Sequence, residues 1–199
     1  MLKRSIQLAL LLVWLPILGC ASREVLTPRV AENTLTVSFD GLWQLRGDHR
    51  LIDAQLQKAI RDTDGVRDGQ IFEPSGGRAA GQRRSDGRIK GGLVYVFFEN
   101  GEQLKISQTD HALFVSFDRA IVEEYRFGEN RAIQVGQAEA QRVSGWDGAD
   151  YVIETLDRSG MKLTERYQLS ADAETLTRRI TFRGRNKQSA TVTQLFARS

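Results

Sequence analysis

Two charged residues late in the chain stand where charge is costly. Met161, Leu163, Glu165, Tyr167 and Leu169 occupy alternate positions of one segment, and Leu176, Arg178, Ile180 and Phe182 alternate positions of the next. Successive side chains of a strand point to opposite faces, so each set lies on one face. A turn from Ser170 to Glu174 sets Leu169 opposite Leu176 and Tyr167 opposite Arg178. Glu165 and Arg178 then sit diagonally on a shared apolar face, within reach of a long side chain. An unpaired charge there is expensive, so the two must pair or meet a polar ligand. A structural ion pair is the ordinary outcome; a polar anchor at the base of a ligand cavity is the functional one.

The other candidate chemistry is thinner. Asp147 and Asp150 flank a turn, where acid–base work competes with the commoner role of Asp in forming the turn itself. Glu123 and Glu124 are adjacent in a strand and point to opposite faces, which separates them as a pair. His49 and His111 fall near element ends, as ordinary surface residues do. Gly76 and Gly81 carry the spacing of a phosphate loop, but Gln82-Arg83 follows where Lys-Ser/Thr is needed. Trp43, Trp146, Tyr125 and Tyr151 fit core or barrel-end packing better than a binding platform, with Trp43 and Trp146 as the candidate barrel-end pair. With one Cys and two His in 199 residues, no disulfide framework, cysteine-based metal cluster or His-rich site is expected. No catalytic set, metal or cofactor is expected, and the chain reads as a non-enzyme.

The elements that position these residues are mostly short strands. Leu35 to Arg46 alternates cleanly, with Gly41 marking a bend or bulge. Residues 50–62 change period: Ile52, Leu56, Ala59 and Ile60 share a helical face, with Asp48 as N-cap and Gly65 as stop. Residues 64–92 hold Pro74 and eight glycines, and 78–90 carry five cations against Asp86. That stretch is expected to be a mobile, solvated loop near 75–92, a disordered insertion and no more; the alternative its charge offers is attraction to anionic lipid or polysaccharide. From Leu93 onward strands are expected near 93–98, 103–109, 111–117, 121–127, 131–136, 139–146, 149–156, 161–169, 174–183 and 190–197. Their spacing predicts an all-β antiparallel meander, closed as a barrel or stacked as a sandwich. The gaps are too short for the crossovers of a parallel sheet.

The formal charge is +3, from 28 Lys and Arg against 25 Asp and Glu. Lys3 and Arg4 belong to the leader, so 28 − 2 leaves 26 cations against 25 acids, which is no basis for nucleic-acid binding. No aromatic interrupts the basic stretch, so base stacking is not expected either. Residues 1–19 have a cationic start and an apolar run, Ile6 to Leu18, too short to span a bilayer and fitting a signal peptide.

Ile17-Leu18-Gly19-Cys20 resembles the lipobox of bacterial lipoproteins. The resemblance implies a diacylglycerol thioether on Cys20, cleavage after Gly19, and acylation of the new amine, as by palmitate. Residues 20–33 then form a lipidated tether and 34–199 the β domain. Ala21 and Ser22 follow Cys20, which in Gram-negative lipoproteins favours the outer membrane, facing the periplasm.

Gly41-Leu42-Trp43 resembles the G-x-W opening of lipocalin-type barrels. Thr164 to Asp172 resembles the E-x-Y-x-L-S-x-D-G hairpin of uncharacterised bacterial envelope proteins with lipocalin-like barrels, with Ala173 where Gly is usual. The resemblance implies a lipocalin-like barrel and a late Arg packed on Trp43, for which Arg183 and Arg198 both qualify. This chain differs in the helix and Gly/Arg-rich stretch after its first strand. The expected function is a lipid-anchored envelope protein that binds an apolar or amphipathic small molecule, or a partner envelope protein. A structural or interaction module with a filled core is the alternative, and an enzyme the most distant one.

Overall fold

The computed structural model describes residues 24–64 and 93–199. Ten antiparallel strands form one sheet: Gly41–Leu45 (β1), Gln103–Gln108 (β2), Ala112–Phe117 (β3), Ile121–Arg126 (β4), Glu129–Val135 (β5), Ala138–Asp147 (β6), Asp150–Asp157 (β7), Lys162–Leu169 (β8), Thr175–Arg183 (β9) and Ser189–Arg198 (β10). The spatial order is β4-β3-β2-β1-β10-β9-β8-β7-β6-β5. The first and last strands pair, Trp43 against Arg198 and Leu45 against Phe196, which curls the meander into a barrel rather than a two-sheet sandwich.

Closure is incomplete between β4 and β5, which are consecutive but share no ladder. Side chains bridge this seam. Ser144 Oγ donates to the Arg126 carbonyl at 2.7 Å, and the Tyr151 hydroxyl to the Tyr125 carbonyl at 3.0 Å. Arg142 Nη1 donates to Glu123 Oε2 at 3.1 Å. Backbone carbonyls that a ladder would have used are thus satisfied by inward-pointing side chains of β6 and β7.

One end of the barrel, the rim, carries the turns at 147–150 and 170–174. The opposite end, the base, carries those at 158–160 and 184–188. The helix His49–Asp64 (α1) closes the base. Asp48 starts it, its Oδ1 accepting from the Arg50 amide at 2.8 Å. Leu56 and Ala59 bury against Met161, Leu163, Ile180 and Phe182, with Ile52 and Ile60 half-buried beside them. This is the face that the 3.6-residue period selects.

Three segments differ from expectation. Leu93–Phe97 is a short 3-10 helix, not a strand. It is apolar on every side, and such a run carries no period to separate helix from strand. Its Val94 joins the cluster under α1, while Phe97 packs with Ala138 and Ala140. The first strand is only Gly41–Leu45, not Leu35–Arg46. Thr36 has φ +51°, and Asn33 brackets Val37 through both its amide and its carbonyl, so the alternation before Phe39 belongs to a loop.

Residues 24–33, expected as a tether, lie along the outside of the barrel from base to rim. Glu24 pairs with Arg183 at 2.5 Å, Leu26 is buried on Val143 and Leu156, and Arg29 pairs with Glu154 at 2.8 Å. Val30 then bridges to Trp146. Gly145 makes this possible, because a Cβ there would stand 2.4 Å from the Val30 carbonyl oxygen.

Candidate functional site

The barrel interior is filled in layers. Toward the rim, Phe39 stacks on Trp146 with ring centroids 5.9 Å apart, and Trp146 meets Phe127 and Tyr151 edge to face at 5.3 Å. Trp43 is fully buried and its indole N–H donates to the Phe39 carbonyl at 3.0 Å. Arg198 lies over the Trp43 ring, 4.3 Å from its centroid. It is the late arginine of the two candidates that packs on the tryptophan; Arg183 points outward to Glu24. Its Nε donates to the Ala173 carbonyl at 2.9 Å and its Nη1 to the Asp40 carbonyl at 2.7 Å. Gly41, with φ +147°, leaves the space: a Cβ there would stand 2.7 Å from Arg198 Nη1. The Gly and the Trp of the G-x-W motif thus serve one contact.

Beneath this layer the structure places Glu165 and Arg178 side by side, 2% and 0% exposed. Tyr167 faces Arg178 and Leu169 faces Leu176 across β8 and β9. Arg178 Nε and Nη2 both donate to Glu165 Oε2, at 3.0 and 2.5 Å. Nη2 also donates to the Glu99 carbonyl at 2.6 Å, and Nη1 to Gln194 Oε1 at 3.3 Å. The Tyr167 hydroxyl donates to the same carboxylate oxygen at 3.3 Å. Rings of Phe117, Phe98 and Tyr167 surround the guanidinium at 5.0, 5.3 and 5.6 Å. All three guanidinium nitrogens therefore already donate to protein atoms.

A second inward pair, Arg142 and Glu123, sits at the seam, with Arg142 5.2 Å from the Tyr125 ring centroid. The half-buried Glu99 makes a third carboxylate, beside Glu165 and the partly exposed Glu123, against two buried guanidiniums. Burial, then repulsion from Glu123 and Glu165, pushes the Glu99 carboxyl up to about 7 against the pull of Arg178. Burial likewise raises the Tyr125 and Tyr167 hydroxyls above the ordinary tyrosine range.

The remaining sequence candidates are elsewhere. Asp147 and Asp150 both accept from Arg166, at 2.5 and 2.6 Å, and form an outer ion-pair cluster. Glu124 faces outward to Arg126 at 2.9 Å, opposite to Glu123. His49 lies between Asp53 and Glu102, and His111 is exposed in a turn. Among the described residues no group of three or more His, Cys, Asp or Glu is disposed to hold a metal. Cys20 and the Gly/Arg-rich stretch 75–92 lie outside the described residues.

The sequence reading missed Arg142, Glu123 as its partner, Glu99 and Gln194. Arg142 had a signal: it alternates with Ala138, Ala140, Ser144 and Trp146, a lone cation on an inward face. Glu99 had none, since it follows the 3-10 helix.

One cleft opens at the rim. Its volume is about 690 Å³ and it is lined by Val37, Ser38, Asp40, Ala149, Leu169, Ser170, Ala171, Ala173 and Arg198. Five of the nine side chains are apolar and four are polar, so its wall is amphipathic.

No family model matches the chain, and no curated protein matches it in sequence. Solved structures are similar in shape. A secretory abundant heat soluble protein of Ramazzottius varieornatus superposes with a TM-score of 0.46 and 12% identity over 82% of this chain and 96% of that one. The apo form of Caenorhabditis elegans lipid binding protein 8 gives 0.47 and 11% over 82% and 99%. A variant of the fluorescent protein UnaG gives 0.42 and 12% over 81% and 96%.

Proposed function

We propose that this chain is an exported, lipid-anchored, non-enzymatic binding protein. In this reading its barrel is a filled, rigid support, and its binding site is the amphipathic rim cleft rather than the interior. The observation that carries the reading is the engagement of Arg178, which donates four of its five N–H groups to protein atoms. A cation meant to anchor a ligand inside the barrel keeps its charge and most donors free, whereas this one is neutralised by Glu165 and keeps a single N–H, on Nη1, beyond its bonds to Glu165, Gln194 and the Glu99 carbonyl. The rim cleft offers what the interior does not: open apolar wall from Val37, Leu169 and three alanines, with Asp40 and Arg198 at its polar side. Its fitting occupant is an amphipathic small molecule or a short segment of a partner envelope protein. Lipid anchorage rests on the lipobox at Cys20.

The binding half is tested by titrating an anilinonaphthalene sulfonate, a fluorescent amphipathic anion, into the folded protein. Saturable single-site binding is expected, and Ala171→Trp, which fills the cleft from an exposed turn, should abolish it without lowering the unfolding temperature. Binding that survives Ala171→Trp would move the site elsewhere. The anchoring half is tested by fractionating cells that express Cys20→Ser; a protein still processed and still membrane-bound would refute it.

A further inference from the structure

We infer that the base of the barrel rests on an anionic lipid surface, with Arg185 and Lys187 of the β9–β10 turn against the headgroups and the rim cleft facing away. This rests on the anchoring of Cys20 proposed above. Glu24 docks at the base, against Arg183 at 2.5 Å and Lys162 at 4.0 Å. Only residues 21–23 separate it from Cys20, so the lipid attachment point lies within about 14 Å of the base, at ~3.6 Å per residue. From Glu24 the chain runs away from that point, along the outer face to the rim. An anchor so short cannot let the rim and the base exchange places at the membrane.

Charge divides the same way. Arg185 and Lys187 are exposed, and neither makes an ion pair among the described residues. The end of α1 abuts their turn: a Cβ on Gly184 would stand 2.0 Å from the Thr63 carbonyl oxygen. Arg61, in the same last turn, is exposed and likewise without an ion pair among the described residues. The base has acids too: Glu24 pairs with Arg183, Glu139 with Arg158 and Asp62 with Lys58, while Asp118 of the β3–β4 turn is exposed without an ion pair among the described residues and is offset by the equally exposed Arg119 beside it. At the rim the exposed turn residues Asp110, Asp172 and Glu174 are acidic and make no ion pair among the described residues. Each basic side chain at an anionic surface favours contact by about fivefold, and each acidic one opposes it. The exposed Val25, next to Glu24, adds apolar surface beside the anchor.

The test uses the full acylated protein, purified from membranes and reconstituted on vesicles. Its only natural cysteine is consumed by the lipid, so Ser189→Cys beside the β9–β10 turn and Ala149→Cys at the rim each take a single nitroxide. Collision with a water-soluble nickel chelate reports depth. On vesicles of three parts phosphatidylcholine to one part phosphatidylglycerol, the label at 189 should be shielded and the label at 149 fully accessible. The double variant Arg185→Glu, Lys187→Glu should free the label at 189 while the protein stays on the vesicles. Equal accessibility of both labels, or shielding at 149, overturns the orientation and leaves anchoring intact. A wild-type protein that fails to sediment with neutral or anionic vesicles overturns the anchoring, and the orientation with it.

Discussion

Replacing Glu165 and Arg178 by leucine, singly and together, should produce an asymmetry that only a buried pair can show. Glu165→Leu strands a guanidinium that still donates to Gln194 and to the Glu99 carbonyl but has lost its counter-charge. An arginine cannot shed its proton in a protein, so the loss should be about 3–5 kcal/mol at pH 5 and smaller at pH 8, where the Glu99 carboxyl, freed of repulsion from Glu165, ionises and supplies part of the missing charge. Arg178→Leu strands a carboxylate whose remaining partner is the Tyr167 hydroxyl. A stranded carboxylate has an escape, because it can take up a proton. From the ordinary glutamate value near 4.3, that neutralisation costs about 3.7 kcal/mol at pH 7 and only about 1 kcal/mol at pH 5. The native state of this variant would then hold a proton that the unfolded chain releases, so its stability should rise as pH falls. In the double variant both charges are gone and Phe98, Phe117 and Tyr167 receive apolar side chains, so most of the loss should be recovered. Urea unfolding at pH 5 and pH 7, followed by the fluorescence of Trp43 and Trp146, measures all four proteins. Additive losses under about 1 kcal/mol would mean that both side chains reach water. A pH-independent Arg178→Leu would show that Glu165 is not stranded by the loss of its partner.

Three further outcomes follow from single positions. Ala173 has φ +58° in the β8–β9 turn, where L side chains are strained, so Ala173→Gly should stabilise by up to about 1 kcal/mol in thermal unfolding. The Glu99 carboxyl is raised from 4.5 to about 7, so its contribution is present below 4.5 and lost as pH rises through 7. For a half-exposed group that loss is about 1 kcal/mol after solvent screening, and Glu99→Gln should flatten the pH profile across this window. Gly145→Ala would place a Cβ against the Val30 carbonyl, so the outer segment 24–31 should detach and become cleavable by protease while the barrel still unfolds cooperatively.

Strand positions from Gln103 onward, the helix with its Asp48 cap and buried face, and the register of β8 on β9 were all legible in the sequence. Each is set by a local period, 2.0 or 3.6, that a few neighbouring residues carry. The inward placement of Glu165 and Arg178 followed from the same alternation, because a strand cannot bury its apolar positions without burying a charge that shares their parity. What the alternation left open needed contacts between distant segments. Barrel or sandwich was decided by β1 pairing with β10, some 150 residues apart, and the choice of Arg198 over Arg183 by that same pairing. The outer course of residues 24–31 depended on Leu26 finding Val143 and Leu156, and on a glycine at 145, none of which is local. The 3-10 helix at Leu93–Phe97 differs from the expected strand because a run of apolar residues carries no period, and its conformation is set by distant contacts, Val94 under α1 and Phe97 on Ala138 and Ala140. Glu99 lies close to Glu165 and Arg178 for the same reason: its half-buried position is set by distant segments, not by the residues beside it in the chain.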